Sequence, residues 1–220
     1  MGDIITMLKI VQARPRRTRQ SNENLVRMGV PRTYCELTLA DYNDYGNEKL
    51  QQVKDFVRDY VVNIHENIQA NKGIFFYGSN GVGKSMLSCI ILREAYLNRY
   101  SCKRVTFSEY INEYTRVWNA RTVAEKEDLE EVFYQYFKSV ELLVLEEVGK
   151  ELDTKLSATV LEDLLRYREE KGLATIICTN VAPKEIVEKY GASIGSLIKG
   201  NFTPINIVGT DNRMNKFKER

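Results

Sequence analysis

Residues 73–85 have the sequence GIFFYGSNGVGKS, in which an apolar run is followed by a glycine-rich segment. Its first five residues form an apolar run of the length of a buried strand, and the segment that follows, SMLSCIILREAYLNRY, has the apolar periodicity of a helix. Three glycines, a lysine and a hydroxyl residue lie between the two. Because glycine permits backbone angles that are closed to other residues, the stretch predicts a strand, a tight loop and a helix.

The loop matches the pattern G-x-x-x-x-G-K-[ST]. In such a loop the backbone N–H groups turn inward around an anion, and the N-terminus of the following helix adds positive charge. We expect Lys84 to reach the β- and γ-phosphates and the Ser85 hydroxyl to bind Mg²⁺, so the predicted cofactors are ATP or ADP and Mg²⁺. The predicted nucleotide-binding residues are Gly78, Ser79, Asn80, Gly81, Val82, Gly83, Lys84, Ser85 and Met86.

Apolar runs and helical periodicity alternate through the rest of the chain. Further strands are predicted in KRVTFS, VELLVLEE, LATIICTN and PINIV, and helices at 47–68, 109–119, 125–138 and 154–171, with two short helices before the last strand. Strands that are apolar on both faces and alternate with helices are typical of a parallel sheet between two helical layers. The predicted buried face of helix 125–138 consists of Leu129, Val132, Phe133, Tyr136 and Phe137.

The first 45 residues lack such a pattern, and we predict an arm or linker, 1–45, before a catalytic domain, 46–220. Residues 1–20 hold five basic side chains against Asp3 alone, a net charge of +4, whereas the other 200 residues carry −2. Such an arm suits a polyanion or an acidic partner, or is a solvated tail. The stretch DIITMLKIV is a candidate amphipathic helix that docks on a partner protein.

Composition excludes several classes of site. The four cysteines are scattered without a CxxC pair and the chain has one histidine, which excludes a His-built zinc cluster and makes a Ser-His triad improbable. No apolar run approaches the roughly 20 residues that span a bilayer, and the start lacks a signal-peptide pattern. We therefore expect a cytoplasmic protein with no membrane partner.

Two carboxylates end the strand at 140–145, which we expect to lie next to the strand of the phosphate loop. Glu146 is predicted to organise Mg²⁺, and Glu147 to polarise the water that attacks the γ-phosphate. Asn180, at the end of IICTN, is predicted to hold that water or the γ-phosphate. The alternatives are a polar strand end for the two acids and a turn or helix cap for Asn180.

These motifs, in this order, resemble the AAA+ ATPases, and more narrowly the DnaC/DnaI helicase-loader family and its transposition relative IstB. The resemblance covers roughly residues 30–213, with VPRTYCELTLADY before the core and EKYGASIGSLIKG and VGTDNR in the tail. It implies a P-loop AAA+ three-layer αβα fold with a five-stranded parallel sheet, a reduced C-terminal lid and the roles stated above. One departure is Glu146, where the family usually has Asp.

The resemblance also implies a single-stranded DNA path along helix 109–119, whose aromatic row is Tyr110, Tyr114 and Trp118. Aromatic side chains stack on bases and arginines bind phosphates. For Tyr110 and Tyr114, however, burial in the core is the stronger alternative. The candidate nucleic-acid contacts are Arg116, Lys103, Arg104, Arg14, Arg16, Arg17 and Arg19.

In such families a neighbouring subunit lends an arginine to the γ-phosphate, but the positions implied for it are Ser193 and Leu197. Lys199 is a possible substitute, and Arg213 falls where the family has a second arginine that acts on its own subunit's nucleotide. We therefore expect slow hydrolysis, and either weak self-assembly or a hetero-assembly that supplies the arginine.

Three functions remain open at the level of sequence. The first is an ATPase that loads a replicative hexameric, DnaB-like helicase onto single-stranded DNA. The second is an IstB-like transposition helper on duplex DNA. The third is a P-loop kinase, which is disfavoured because no arginine-bearing lid follows and the paired acids suit water as the acceptor.

Overall fold

The computed structural model describes residues 19–151 and 154–209, and these form a five-stranded, wholly parallel sheet. The order across the sheet is β2-β3-β4-β1-β5. The strands are β1 (Gly73–Tyr77), β2 (Cys102–Thr106), β3 (Leu142–Val148), β4 (Ala174–Thr179) and β5 (Phe202–Asn206).

Helices connect the strands and precede the first of them. They are α1 (Arg19–Arg27), α2 (Glu48–Val62), α3 (Ile64–Gln69), α4 (Lys84–Leu97), α5 (Phe107–Trp118), α6 (Val123–Phe133), α7 (Thr154–Glu170), α8 (Pro183–Tyr190) and α9 (Ala192–Asn201). A π-helical turn, Tyr134–Lys138, extends α6. Short polar side chains begin several of these helices: the side chain of Asn47 caps α2, and Thr106 forms a capping box with Glu109 at the start of α5.

Alternate residues of the strands point into two separate cores. On one face Ile74 and Phe76 pack with the helices α2 to α4, and on the other face Phe75 packs with α5 and α7 to α9. A parallel sheet that is covered on both sides buries both faces of its strands, which explains the continuous apolar runs. The predicted three-layer α/β architecture with five parallel strands is confirmed.

The predicted neighbour of the phosphate-loop strand was wrong. β1 pairs with β4 and β5, and β3 lies one strand further away, between β2 and β4. Local sequence gives the ends of a strand but not its lateral partners. The carboxyl ends of parallel strands still share one edge of the sheet, so Glu146 reaches the loop across β4.

The described part of the predicted arm, residues 19–45, packs against the rest of the domain. Residues 19–27 form α1, and Leu25, Val30, Cys35 and Tyr42 are buried in the core with α2 and α4. These apolar residues are spaced irregularly through turns, so they lack the periodicity that would have shown their burial. The division of function at residue 45 stays a prediction, and the candidate helix DIITMLKIV lies outside the described residues.

Two helices differ from their predicted form. The helix expected at 47–68 is broken at Asn63, which separates α2 from α3. In α6 and the turn that follows, Val132 and Tyr136 are exposed and Leu129 is partly buried. Of the predicted buried face, Phe133 and Phe137 pack against the core. No helix among the described residues is both long and apolar enough to cross a membrane. The reduced lid was expected in the 40 residues after Asn180, and the described part of these, 181–209, holds α8, α9 and β5.

Candidate functional site

The phosphate loop, residues 78–83, connects β1 to α4 and has backbone angles that require glycine. Gly78 and Gly83 have φ of +144° and +102°. A Cβ atom on Gly78 would lie 2.3 Å from the carbonyl oxygen of Ile207, and one on Gly83 would lie 2.7 Å from Cε2 of Tyr42. The glycines are therefore needed for both the turn and the close approach of its neighbours.

Lys84, the first residue of α4, is largely buried and points back into the loop. Its Nζ donates to the carbonyl oxygens of Gly78 at 2.8 Å and Ser79 at 2.6 Å. A cation is thus held inside the curve of the loop, next to the N-terminus of a helix, which is where an anion is bound most strongly.

Glu146 is the buried carboxylate of the site. Ser85 Oγ donates to Glu146 Oε2 at 2.7 Å, and Ser88 Oγ lies 3.0 Å from Glu146 Oε1. Ser88 was missed by sequence reasoning, although it lies one turn after Ser85 on the same face of α4. The carboxylate and the Ser85 hydroxyl form a set of oxygen donors that fits Mg²⁺, which prefers oxygen ligands and retains water in its shell.

Arg104, on β2, completes the surroundings of Glu146. Its Nε lies 3.3 Å from Glu146 Oε1, and its side chain is only 16% exposed. Burial lowers the pKa of the Arg104 guanidinium, but the negative charge of Glu146 more than offsets this, and the pKa lies above its usual value. The guanidinium is used inside the fold, and the contact of Arg104 with nucleic acid stays a prediction.

Glu147 has a different environment from its neighbour. Its φ is +62°, its side chain is 53% exposed, and Oε1 lies 2.9 Å from Lys150 Nζ. Lys189 is hydrogen-bonded to the loop that follows, since its Nζ donates to the carbonyl oxygens of Gly149 and Glu151. The carboxylate therefore stands at the open edge of the sheet, accessible to water.

Asn180 follows β4 and reaches the phosphate loop. Its Nδ2 donates to Oδ1 of Asn80 at 2.8 Å. The structure thus brings the predicted loop, both acids and Asn180 to one edge of the sheet. Whether these groups act on a nucleotide stays a prediction.

Tyr42 is a further residue that sequence reasoning did not assign to the site. It is buried against the loop, with its ring beside Gly83 and its hydroxyl 3.5 Å from the carbonyl oxygen of Val82. Burial, and secondarily the charge of Asp44, raise the pKa of Tyr42 to about 12. The segment before the first strand therefore packs against the phosphate loop.

The candidate DNA path contains both buried and exposed aromatic residues, and both basic and acidic side chains. Tyr110 is buried and Tyr114 is partly buried, as the core alternative predicted, whereas Trp118 is 60% exposed. Arg116 is exposed and lies 3.6 Å from Glu113, while Lys103 Nζ is half-buried over the ring of Phe137. The neighbouring α6 exposes five carboxylates, Glu125, Glu127, Asp128, Glu130 and Glu131.

The predicted basic arm cannot be placed on this path. Arg14, Arg16 and Arg17 lie outside the described residues, and of Arg19 only the backbone is described. Among the candidates whose side chains are described, Arg116 is the most exposed, and all of the DNA contacts stay predictions.

The positions implied for a trans-acting arginine have ordinary structural roles. Ser193 Oγ donates to Glu162 at 2.7 Å and accepts from Arg166 Nη2 at 2.8 Å, and Leu197 is buried. Lys199 is exposed on α9. Arg213 lies outside the described residues.

Comparison with known proteins finds a similarity to a helicase loader. Over 141 residues it is 27% identical to the replicative helicase loader DnaI of Bacillus subtilis (strain 168), a match that covers 64% of this chain and 42% of DnaI. The chain thus spans less than half of the length of this curated relative. A crystal structure of DnaI has a TM-score of 0.65 at 25% identity, covering 83% of this chain and 94% of that chain.

Two further solved structures share the fold. The crystal structure of the DnaC helicase loader has a TM-score of 0.68 at 21% identity, covering 81% of this chain and all of that chain. The replication initiator DnaA bound to AMPPCP and single-stranded DNA has a TM-score of 0.64 at 19% identity, covering 86% of this chain and 56% of that chain. No model of a protein family matches the chain.

Proposed function

Since the chain is related to the DnaC/DnaI-type helicase loaders, we propose that it is an ATP-dependent loader that delivers a replicative hexameric, DnaB-like helicase to single-stranded DNA. The observation that carries the nucleotide part of the proposal is the convergence of a lysine-bearing phosphate loop, a hydroxyl paired with a buried carboxylate, and an exposed carboxylate. These are the groups that phosphoryl transfer from a nucleoside triphosphate requires.

Binding follows from the loop and the start of α4. Backbone N–H groups of the loop and the ammonium of Lys84 hold the phosphates, and Lys84 exchanges its contacts with Gly78 and Ser79 for phosphate oxygens. Ser85 and Glu146 would hold Mg²⁺, directly or through water, and the ion would supply positive charge beside the phosphates.

The exposed groups have different roles in hydrolysis. Glu147 accepts a proton from the attacking water, which requires that its carboxylate leave the contact with Lys150. Asn180 exchanges Asn80 for the γ-phosphate or the water. Because neither Ser193 nor Leu197 can stabilise negative charge from a neighbouring subunit, turnover is slow and ATP serves mainly as a binding switch.

Support for the partners comes from the relatives. DnaI is named as a replicative helicase loader, and the DnaA structure contains AMPPCP and single-stranded DNA. The exposed Arg116 and Trp118 on α5 supply a cation and an aromatic ring of the kind that binds single strands, although the carboxylates of α6 oppose a long DNA path there.

The ATPase is tested with Glu147→Gln. The amide cannot accept a proton, so we expect turnover to fall about 10²-fold or more while ATP binding stays within about twofold of the parent. Glu188→Gln, an exposed acid on α8, is the matched control and should leave both unchanged. Full turnover in Glu147→Gln would remove Glu147 from the catalytic role.

The loader function is tested by mixing the purified chain with the replicative helicase of its source organism, with ATP or ADP. We expect co-elution as one complex and transfer of the helicase to single-stranded DNA only when the chain is present. Preference for duplex DNA with no helicase complex would favour the transposition helper instead. A rise of turnover with protein concentration would show that subunits complete one another's sites.

A further inference from the structure

Arg104 lies between two parts of the molecule that are far apart in sequence. On one side its Nε contacts Glu146 Oε1 at 3.3 Å. On the other side its Nη1 donates to the carbonyl oxygen of Gly29 at 3.0 Å. A single guanidinium therefore connects the segment before the ATPase core to the carboxylate proposed to hold Mg²⁺.

The N-terminal segment is in close contact with β2. The backbone N–H of Arg104 donates to the carbonyl oxygen of Met28 at 2.7 Å. Gly29 has φ of +95°, and a Cβ atom there would lie 2.0 Å from the carbonyl oxygen of Arg104. Leu25 and Val30 on either side of this turn are buried. The turn at residues 28–29 therefore cannot move without moving β2 or the guanidinium.

The two oxygens of Glu146 have separate partners. Oε1 faces Arg104 and Ser88, whereas Oε2 accepts from Ser85. With Oε1 engaged in this way, Oε2 is the oxygen turned toward the hydroxyl that is proposed to bind Mg²⁺. The planar fork of a guanidinium is suited to holding a carboxylate in one orientation while its other nitrogens bind elsewhere.

We propose that Arg104 is a positioning residue that orients Glu146 for Mg²⁺ and couples the metal side of the nucleotide site to the N-terminal segment around Met28 and Gly29. The inference rests on the proposed nucleotide site and deepens it by naming a route of regulation. Coupling of this kind is reciprocal. If a partner that binds α1 changes the affinity for Mg²⁺-nucleotide, then Mg²⁺-nucleotide changes the affinity for that partner by the same factor.

The test uses the full-length chain and two readouts. The first is the affinity for fluorescently labelled ADP with Mg²⁺ and with EDTA, and the ratio of the two is the enhancement by Mg²⁺. The second is hydrogen exchange of residues 25–30, where the Val30 amide donates to Leu25. The variants are Arg104→Met and Arg104→Lys. Arg58→Met, which removes a surface arginine–aspartate pair from α2, is the matched control.

In the parent and in Arg58→Met, Mg²⁺-ADP is expected to slow exchange in residues 25–30. Arg104→Met should reduce the enhancement by Mg²⁺ about tenfold and abolish that protection, with binding in EDTA within about threefold of the parent. Arg104→Lys retains the charge but cannot bridge both partners, so it should keep more of the enhancement and still lose the protection. The lysine variant decides the matter if Arg104→Met fails to fold.

The outcomes separate the two proposals. If the parent binds no nucleotide, the proposed function fails. If the parent binds nucleotide and the Arg104 variants keep both the enhancement and the protection, the coupling fails while the site stands. A stronger enhancement in Arg104→Met would show that Arg104 only repels the metal, and this too overturns the positioning role.

Discussion

Replacing Lys84 with alanine tests the phosphate loop most directly. Nζ now makes charge-assisted bonds of 2.8 and 2.6 Å to the carbonyl oxygens of Gly78 and Ser79. A hydrogen bond to a charged group contributes about 1.5–3 kcal/mol. When phosphates are bound the ammonium exchanges two carbonyl acceptors for anionic oxygens, so we expect a net loss of about 3 kcal/mol, which is about a 100-fold weaker affinity.

The same contacts predict a smaller effect on the fold. Ser79 is exposed, so water can replace the lysine at its carbonyl oxygen, and we expect the free energy of unfolding to fall by about 1 kcal/mol. The assay is anisotropy of labelled ATP together with urea unfolding, and Lys171→Ala, an exposed lysine after α7, is the control. A folded Lys84→Ala protein that binds ATP within about twofold of the parent would refute the assignment of the loop.

Two further predictions concern DNA and the core. Arg116→Ala, and separately the removal of the basic side chains in residues 14–19, should weaken single-strand binding, with a larger effect at low salt because phosphate contacts release counterions; an affinity independent of salt would contradict this. Arg168→Met should lower the free energy of unfolding by about 3–5 kcal/mol, measured in urea, because the buried guanidinium donates to the carbonyl oxygens of Lys138, Val140 and Ala174 and to the Thr175 hydroxyl. Arg166→Met, on the exposed side of the same helix, should lower the free energy of unfolding by under about 1 kcal/mol. A loss as small as this in Arg168→Met would show that the buried contacts contribute little.

The parts of the site that sequence predicted are those with local causes. A glycine-rich loop between an apolar strand and a helix is specified by neighbouring residues, and so are strands that end in polar side chains. Helix starts were predicted within a few residues from apolar periodicity, and in the structure a short polar cap such as Thr106 lies at the start. Each of these features depends on contacts within a few residues along the chain.

The parts that sequence missed depend on contacts between distant segments. The position of β4 between β1 and β3 is set by how helices cross the sheet, which no single strand encodes. In the sequence Arg104 stands next to Lys103 and resembles a surface cation. In the structure it faces a carboxylate 42 residues away in the chain. Tyr42 looked like a turn residue, and only the folded chain brings its ring beside Gly83.

The pair Glu146–Glu147 shows how adjacent identical residues acquire different roles. The pairing of β3 with β4 shifts register between Glu146 and Val148, and Glu147 takes a left-handed conformation. Glu146 therefore keeps the inward direction of a strand residue and meets Ser85, while Glu147 turns out of the strand toward water. For a residue other than glycine such a conformation costs about 1–3 kcal/mol. Glycine would relieve that cost, so what glutamate contributes at this position is its carboxylate, which is held at the strand end and exposed to solvent.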